Sequence, residues 1–406
     1  MLSSDFDYQL PDNKIARHPV SPRRSAKLLH MSNEALNHIS FEDLPQALKE
    51  HGCDGLWANE TKVLQARLYM VKPTGGRLEI FLLESLEGVA EIALSAKGSS
   101  KWRCLVRGGM KWTAEIATAE VDGLKLKVRP VDIETGLVKE EGGTFGLNFT
   151  WNGEKCFGDV LERLGKTPLP PYMKRESDAS DTLEYQTVFA NSPGSVAAPT
   201  AGLHYDSVLL KDLETAGLPL NTLTLHVGAG TFKPLSDGPI NEHIMHSERC
   251  IIYKGDLEKL VLQKRRVATG TTTLRTLESL YWMAVIHMRD GSFPDTLPQW
   301  TPYEDSVKPF TATSYTEAIQ YLIDHAPLDE AWSFSTSIMI RPGYKILSIT
   351  ALITNFHQPG STLLCLVSAC IDTSESTMTW RKLYLEALES DYRFLSYGDG
   401  CLLELS

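Results

Sequence analysis

Between about Arg67 and Phe149 the chain changes its hydrophobic period, and this change constrains the fold more than any other feature. The runs RLEIFLL, EIALSA, KWRCLV, TAEIATAEV, LKLKVRPV and FGLNFTW are short and alternate apolar with polar residues. Turn signals separate them at Thr74-Gly75-Gly76, Arg107-Gly108-Gly109, Asp122-Gly123 and Asn152-Gly153. Period-2 runs with turns this close together predict an antiparallel barrel or sandwich.

On either side the pattern differs. From Asp159 onward helical and strand-like stretches alternate. Helices are expected over Asp206–Ala216, Asp256–Arg266 with an Asp cap, Thr273–Met288 with Thr272 as its cap, Ser361–Ile371 and Met378–Ser390. Strands are expected over Leu220–His226, Val267–Gly270 and Ile346–Thr354, with a last extended segment over Tyr392–Leu405. Alternating strands and helices build an α/β layer with a mainly parallel sheet. The first 65 residues are expected to complete that layer. The fold expected is therefore α/β, a mainly parallel sheet with helices, carrying an inserted antiparallel β-barrel. Residues 1–66 and 156–406 would form the α/β part and 67–155 the barrel. Asp290–Pro309, rich in proline and without pattern, reads as a surface excursion.

Bulk properties narrow the function classes. The net charge of −11 argues against nucleic-acid binding through overall charge but leaves local basic patches open. Seven scattered cysteines form no CxxC pair, so neither a zinc knuckle nor a disulfide framework is expected. The start, MLSSDFDYQLPDNK, lacks the basic and apolar parts of a signal peptide. No apolar run reaches the roughly 20 residues that span a bilayer. A cytoplasmic protein with no membrane attachment is expected.

Four clusters could carry chemistry. Ser195–Phe232 holds two glycine-bearing turns, SVAAPTAGLHYD and TLTLHVGAGTF, each with an imidazole, His204 or His226. Small residues there let the backbone approach a ligand. Asn59–Leu68 brings Asn59, Thr61 and Arg67 together near the start of the barrel. Asn241–Glu248 crowds His243, His246 and Glu248, a spacing that invites a metal reading. It is not HExxH, however, and an extended run would send the two histidines to opposite faces. Acid–base or hydrogen-bonding work suits them better, and no metal is expected. Last, Asn355 and His357 of TNFHQPGS follow a strand and precede a helix, while Asp399 lies in YRFLSYGD; simple turn capping is an equal reading for Asp399. There is no P-loop (GxxxxGK followed by Ser or Thr) and no GxSxG elbow. Gly228-Ala229-Gly230 runs into Pro234, so it opens no dinucleotide-binding helix.

Taken together, DFDYQLPDNKIARHP, NETKVLQARL, GKTPLPPY, EYQTVFA, GSVAAPTAGLHYD, TLHVGAGTFKP, HIMHSE, GTTTLRTLES, RPGYKI, TNFHQPGSTLL and YRFLSYGD resemble one family almost end to end. This is the S-adenosylmethionine:tRNA ribosyltransferase-isomerase family of queuosine biosynthesis. The resemblance implies an α/β domain with an inserted barrel and a reaction unlike methyl transfer. The ribosyl part of S-adenosylmethionine moves to the aminomethyl group of 7-aminomethyl-7-deazaguanine in tRNA, forming epoxyqueuosine while adenine and methionine leave. S-adenosylmethionine is thus a co-substrate, and the tRNA carries its modified base at the wobble position. A base must remove a proton beside the sulfonium, and an acid must help adenine depart. His204, His226, His243, His246 and Glu278 are the catalytic candidates. Asn59, Thr61, Arg67, Gly228, Gly230, Thr231, Arg275, Asn355, His357 and Asp399 are the substrate-binding candidates. Arg17, Arg23, Arg24, Lys174, Arg175, Lys264, Arg265 and Arg266 are available for phosphates. A monomer is expected.

The chain departs from the family pattern at Arg24, Glu60, Glu184, Arg341 and Gln358, among others. The charge reversals at Arg24 and Glu184 keep two alternatives open. One is an S-adenosylmethionine-dependent enzyme of the same fold with another acceptor; the other is a non-catalytic RNA-binding relic.

Overall fold

Adjacent residues of a strand point to opposite faces, and in this chain both faces of the central strands are apolar. Leu28, Leu56, Val267, Ile353 and Leu402 enter one core, whereas their neighbours Leu29, Trp57, Ala268, Leu352 and Leu403 enter another. A sheet buried on both sides needs helices on both sides, and the elements supply them. The computed structural model describes residues 1–108, 112, 115–131, 143–228, 230, 235–372 and 377–405.

Strands β1 (Lys27–Ser32), β2 (Ala35–Ser40), β3 (Gly55–Asn59) and β4 (Thr61–Val63), with helix α1 (Leu44–His51), come first. Next are β5 (Arg67–Val71), β6 (Arg77–Ser85), α2 (Ala90–Ser95), β7 (Ser99–Arg107), β8 (Ala117–Val121), β9 (Leu124–Pro130) and β10 (Phe145–Trp151). They are followed by α3 (Phe157–Leu164), β11 (Gly165–Lys166), α4 (Asp181–Glu184), β12 (Ser192–Ser195), α5 (Ser207–Thr215) and β13 (Leu220–His226). After these come β14 (Glu248–Tyr253), α6 (Lys254–Leu262), β15 (Arg266–Thr269), α7 (Thr271–Asp290), β16 (Thr296–Leu297) and α8 (Tyr315–His325). The chain ends with β17 (Ala331–Thr336), β18 (Ala351–Asn355), α9 (Thr362–Ile371), α10 (Trp380–Glu389) and β19 (Gly400–Glu404).

The larger sheet has ten strands in the order β16-β17-β14-β13-β3-β15-β18-β19-β1-β2. Its centre, β13-β3-β15-β18, is parallel throughout, and antiparallel pairs flank it at β13–β14 and β18–β19. Leucines of α1 and α5 cover one face, while α7, α9 and α10 pack on the other. Every residue of α7 from Thr271 to Ile286 is buried, so this helix lies inside the layer. The second sheet runs β5-β6-β7-β10-β9-β8 and closes on itself where Val71 of β5 pairs with Thr118 of β8. Inward residues such as Leu68, Ile80, Trp102, Leu126, Val128 and Phe149 fill this barrel, and Phe157, Val160 and Leu161 of α3 plug it.

The α/β layer and the antiparallel barrel thus both form. Several local expectations do not. EIALSA, expected as a strand, is the helix α2, whose Ala93 and Leu94 are both buried although a strand would send neighbours to opposite faces. Helix α6 starts at Lys254 rather than Asp256. Tyr253 is its cap, and the Asp256 carboxylate closes the first turn by accepting from Tyr253 N at 3.3 Å. Arg266, expected in that helix, belongs to β15. Helix α7 starts at Thr271, capped by Gly270 at φ 92°, a left-handed conformation only glycine adopts without strain. The excursion after Asp290 is not merely surface, because Leu297, Thr301 and Val307 are buried.

Candidate functional site

The four parallel strands end on one edge at Asn59, His226, Thr269 and Asn355. Ligands of open α/β sheets bind outside such carboxyl ends, and a pocket opens there. Its wall includes Ala197 to Ala201 from the first glycine-bearing turn, Gly270 to Thr272 at the start of α7, and Thr354 to Gln358. Tyr172, Tyr185 and Phe356 supply aromatic surface, and Ser361, Leu395 and Ser396 complete the rim.

Asn355 is the hub of this pocket. Its Oδ1 accepts from Thr200 Oγ1 at 2.9 Å, and its Nδ2 lies 3.2 Å from both His204 Nε2 and Leu395 O. The His204 ring stacks on Phe41, with centroids 4.1 Å apart and planes 15° apart. Burial, reinforced by the positive Arg393 and Arg23, pushes the His204 pKa down to about 3. Burial alone does the same to His357, whose Nε2 is 3.0 Å from Thr354 Oγ1. Tyr8 and Tyr384 hold the His357 main chain through its carbonyl and amide. Both imidazoles are therefore neutral at physiological pH: they can orient a ligand but hold no proton in reserve as an acid. Tyr172 is likewise a neutral phenol, pushed up to about 12 by burial.

A second cluster adjoins the pocket at Val227. Thr61 Oγ1 lies 2.9 Å from His226 Nδ1 and 2.6 Å from Ser195 Oγ, and Ser195 Oγ accepts from Val227 N at 2.7 Å. On the other side of the ring, Nε2 is 3.1 Å from Glu91 Oε1, contributed by α2. The hydrogen bond from His226 holds the Glu91 carboxyl below its ordinary range, against the opposing effect of burial. A carboxylate at Nε2 keeps the proton on that nitrogen and leaves Nδ1 to accept from Thr61. Gly194 makes room for the ring: a Cβ there would sit 2.6 Å from His226 Nδ1. Asn59 ties the cluster to the sheet, since its side chain donates to Leu225 O at 2.8 Å and accepts from Leu225 N at 3.0 Å.

A third group lies one turn along α7 from Thr271 and Thr272. Arg275 Nη1 donates to Glu248 Oε2, and Gly228 N donates to Glu248 Oε1 at 3.2 Å. The Nε and Nη2 donors of Arg275 are buried and have no hydrogen-bond partner among the described residues. Gly230 lies against His246, where a Cβ would meet the ring at 2.1 Å. His243 sits further out and takes Ser236 N at 3.2 Å. Among the described residues no group of three His, Cys, Asp or Glu side chains could hold a metal ion. Thr231 lies outside the described residues.

Three other candidates are engaged elsewhere. Arg67 is on the barrel, paired with Glu79 and lying over Phe81. Both oxygens of Asp399 accept from main chain, Lys27 N at 3.0 Å and Arg393 N at 2.7 Å, which is turn capping. Glu278 is fully buried and accepts from Tyr344 Oη, Leu347 N, Ser348 N and Ser348 Oγ, fixing the 344–348 segment. Burial pushes its pKa up while these four donors pull it down.

The departures from the family pattern do not form one compensating pair. Arg24 pairs with Asp206 at 2.8 Å and with Glu42 at 3.3 Å. Glu184 leaves its Oε2 buried without a hydrogen-bond partner among the described residues. Thr222 Oγ1 donates to Glu60 Oε2 at 2.9 Å, and Arg341 lies 4.3 Å over the Tyr303 ring. The residues missed individually are Glu91, Tyr172, Tyr185 and Ser195. The last three sit inside the quoted runs GKTPLPPY, EYQTVFA and GSVAAPTAGLHYD, where nothing but position singles them out. Glu91 was hidden by the strand reading of α2.

The fold and site define a class: an α/β protein with an inserted barrel and an aromatic, hydroxyl-lined pocket at the parallel edge of its sheet. The chain belongs to the family described as "Queuosine biosynthesis protein", whose pattern matches residues 3–403. It is 36% identical over 404 residues to the S-adenosylmethionine:tRNA ribosyltransferase-isomerase of Dechloromonas aromatica, covering 98% of this chain and 96% of the relative. The enzyme of that name from Aquifex aeolicus is 35% identical over 410 residues, covering 99% and 100%. A crystal structure described as an S-adenosylmethionine tRNA ribosyltransferase from Thermotoga maritima aligns at 25% identity and a TM-score of 0.43, covering 98% and 99%.

Proposed function

We propose that this chain is a tRNA-modifying transferase-isomerase. It moves the ribosyl part of S-adenosylmethionine onto the aminomethyl group of 7-aminomethyl-7-deazaguanine in tRNA and releases adenine and methionine. The observation that carries the reading is similarity of 35–36% identity to enzymes of this name over 98–99% of the chain. The pocket suits the substrate. Tyr172, Tyr185 and Phe356 line it with aromatic side chains, a lining that suits a sulfonium or an adenine. The Nε and Nη2 of Arg275, without a partner among the described residues, suit a carboxylate such as that of the methionyl part.

We assign proton transfer to His226, with Glu91 as the positioning residue that fixes its tautomer and Thr61 as relay. His204, His357 and Asn355 orient the substrate as neutral hydrogen-bonding groups. Residues 1–66 and 156–406 are taken as the α/β part and 67–155 as the insertion. The modified base is at the wobble position, and the protein works as a cytoplasmic monomer. Adenine release tests the reaction. It is expected only when S-adenosylmethionine and tRNA bearing the aminomethyl base are both present. Equal release with tRNA lacking the amine would point to another acceptor, and no release from folded protein would overturn the assignment.

A further inference from the structure

The structure changes where RNA can be held. Of the eight cations available for phosphates on sequence grounds, seven are committed within the protein. Arg17 and Lys174 pair with Asp12, Arg24 with Asp206, and Arg175 with Asp181. Arg23, Arg265 and Arg266 donate to main-chain carbonyls. Only the side chain of Lys264 has no such partner among the described residues.

The barrel is different. Residues 67–155 carry 13 Lys+Arg against 12 Asp+Glu, whereas the rest of the chain carries 27 against 39. The cations are also concentrated. On β9 the inward residues Leu126 and Val128 alternate with outward Lys125, Lys127 and Arg129, at a spacing of about 6.8 Å per pair. None of these three has an ion-pair partner among the described residues, although Glu120 lies opposite Lys125 across the β8–β9 ladder. Asn148 of β10 is in register with both Arg129 and Lys101, so the row reaches β7, where Lys101 pairs with Glu87 at 3.8 Å.

Position completes the case. Lys125, Lys127 and Lys101 lie at the barrel end where β7 begins and β10 ends, next to α2 and α3. Glu91 of that same α2 contacts His226. A polyanion lying on this strip is therefore led towards the pocket. In a chain with a net charge of −11, a row of three cations on β9 without ion-pair partners among the described residues has a polyphosphate as its complement.

We infer that the outer face of the barrel centred on β9, through Lys125, Lys127 and Arg129, is the surface on which the tRNA backbone docks. This rests on the proposed function, because that reading supplies the tRNA.

The test compares wild type with the Lys125→Ala/Lys127→Ala/Arg129→Ala variant. Binding of tRNA is measured by fluorescence anisotropy between about 50 and 200 mM salt. The control is Lys49→Ala/Lys211→Ala/Lys254→Ala, three exposed lysines elsewhere. The barrel variant is expected to bind at least tenfold more weakly, with the slope of log K against log salt shallower by about 2–3. Its melting temperature and S-adenosylmethionine affinity should stay unchanged, as Lys125 and Lys127 are exposed and Arg129 is half-buried on the outer face of the barrel. Unchanged affinity and slope, or an equal loss in the control, would overturn the docking surface. Wild-type protein that binds tRNA through this face but forms no modified nucleoside would instead overturn the proposed reaction and leave the surface standing.

Discussion

Lowering the pH from 7.5 to 5.0 should make unfolding of this protein take up about two additional protons, owing to His204 and His357 alone. Both are held at about 3 by burial in the fold, against an ordinary value of about 6.5 in an unfolded chain. A folded pKa below the unfolded one means that the neutral form belongs to the native state. The stability is fully present above about 6.5 and is lost as the pH falls from there towards 3. At pH 5.0 each imidazole is almost wholly protonated when unfolded and almost wholly neutral when folded. Each therefore costs about 1.5 × 1.36, or roughly 2 kcal/mol, and the pair about 4 kcal/mol. The assay is potentiometric proton uptake on unfolding in urea at pH 5.0, comparing wild type with His204→Asn/His357→Asn. Carboxylates such as Glu91 titrate in both proteins and cancel. Wild type should take up about two more protons than the variant. A difference near zero would mean that these rings are solvated or charged in the fold, and the description of the pocket as neutral would fall.

His226→Ala should lower kcat by about 10²–10⁴-fold, and Glu91→Gln by at least about tenfold, with little change in KM for S-adenosylmethionine; unaltered turnover in either would remove the dyad from the mechanism. Gly194→Ala forces a Cβ to within 2.6 Å of the His226 ring, so turnover should fall towards that of His226→Ala while circular dichroism stays native. Arg275→Ala removes the buried cation that pairs with the Glu248 carboxylate and should cost about 3–5 kcal/mol, read as a lower melting temperature. Glu278→Ala abandons four donors and should destabilise by a similar amount, on the order of 3–5 kcal/mol. A wild-type melting curve for either variant would contradict the contacts described.

The large divisions of the fold were legible because period and burial coincide. Leu28 and Leu29, or Leu56 and Trp57, sit on opposite faces of strands buried on both sides, and the barrel strands alternate as written. EIALSA failed because a six-residue helix with two buried residues offers too short a window to separate a period of 2 from one of 3.6. That error then hid Glu91. The position of Asn355 and His357 was legible, because a strand followed by a turn and a helix shows in the sequence and such turns lie at the carboxyl edge of a parallel sheet. The sharing of Asn355 between His204 and Thr200 was not, since the residues concerned are 151 and 155 positions apart. Glu278 misled because a carboxylate one helical turn beyond Arg275 reads as part of the same face, whereas it turns to Tyr344 and Ser348. The phosphate candidates misled for a related reason. Sequence counts cations, while the structure shows which of them already have partners.

The most direct test of the central claim is the mass of the modified nucleoside. Purified protein is incubated with S-adenosylmethionine and tRNA carrying 7-aminomethyl-7-deazaguanine, and the tRNA is digested and analysed by mass spectrometry. Conversion of the aminomethyl nucleoside to the mass of epoxyqueuosine, one equivalent of adenine appearing per nucleoside converted, is the predicted result. Folded protein that binds both substrates yet leaves the nucleoside mass unchanged would contradict it.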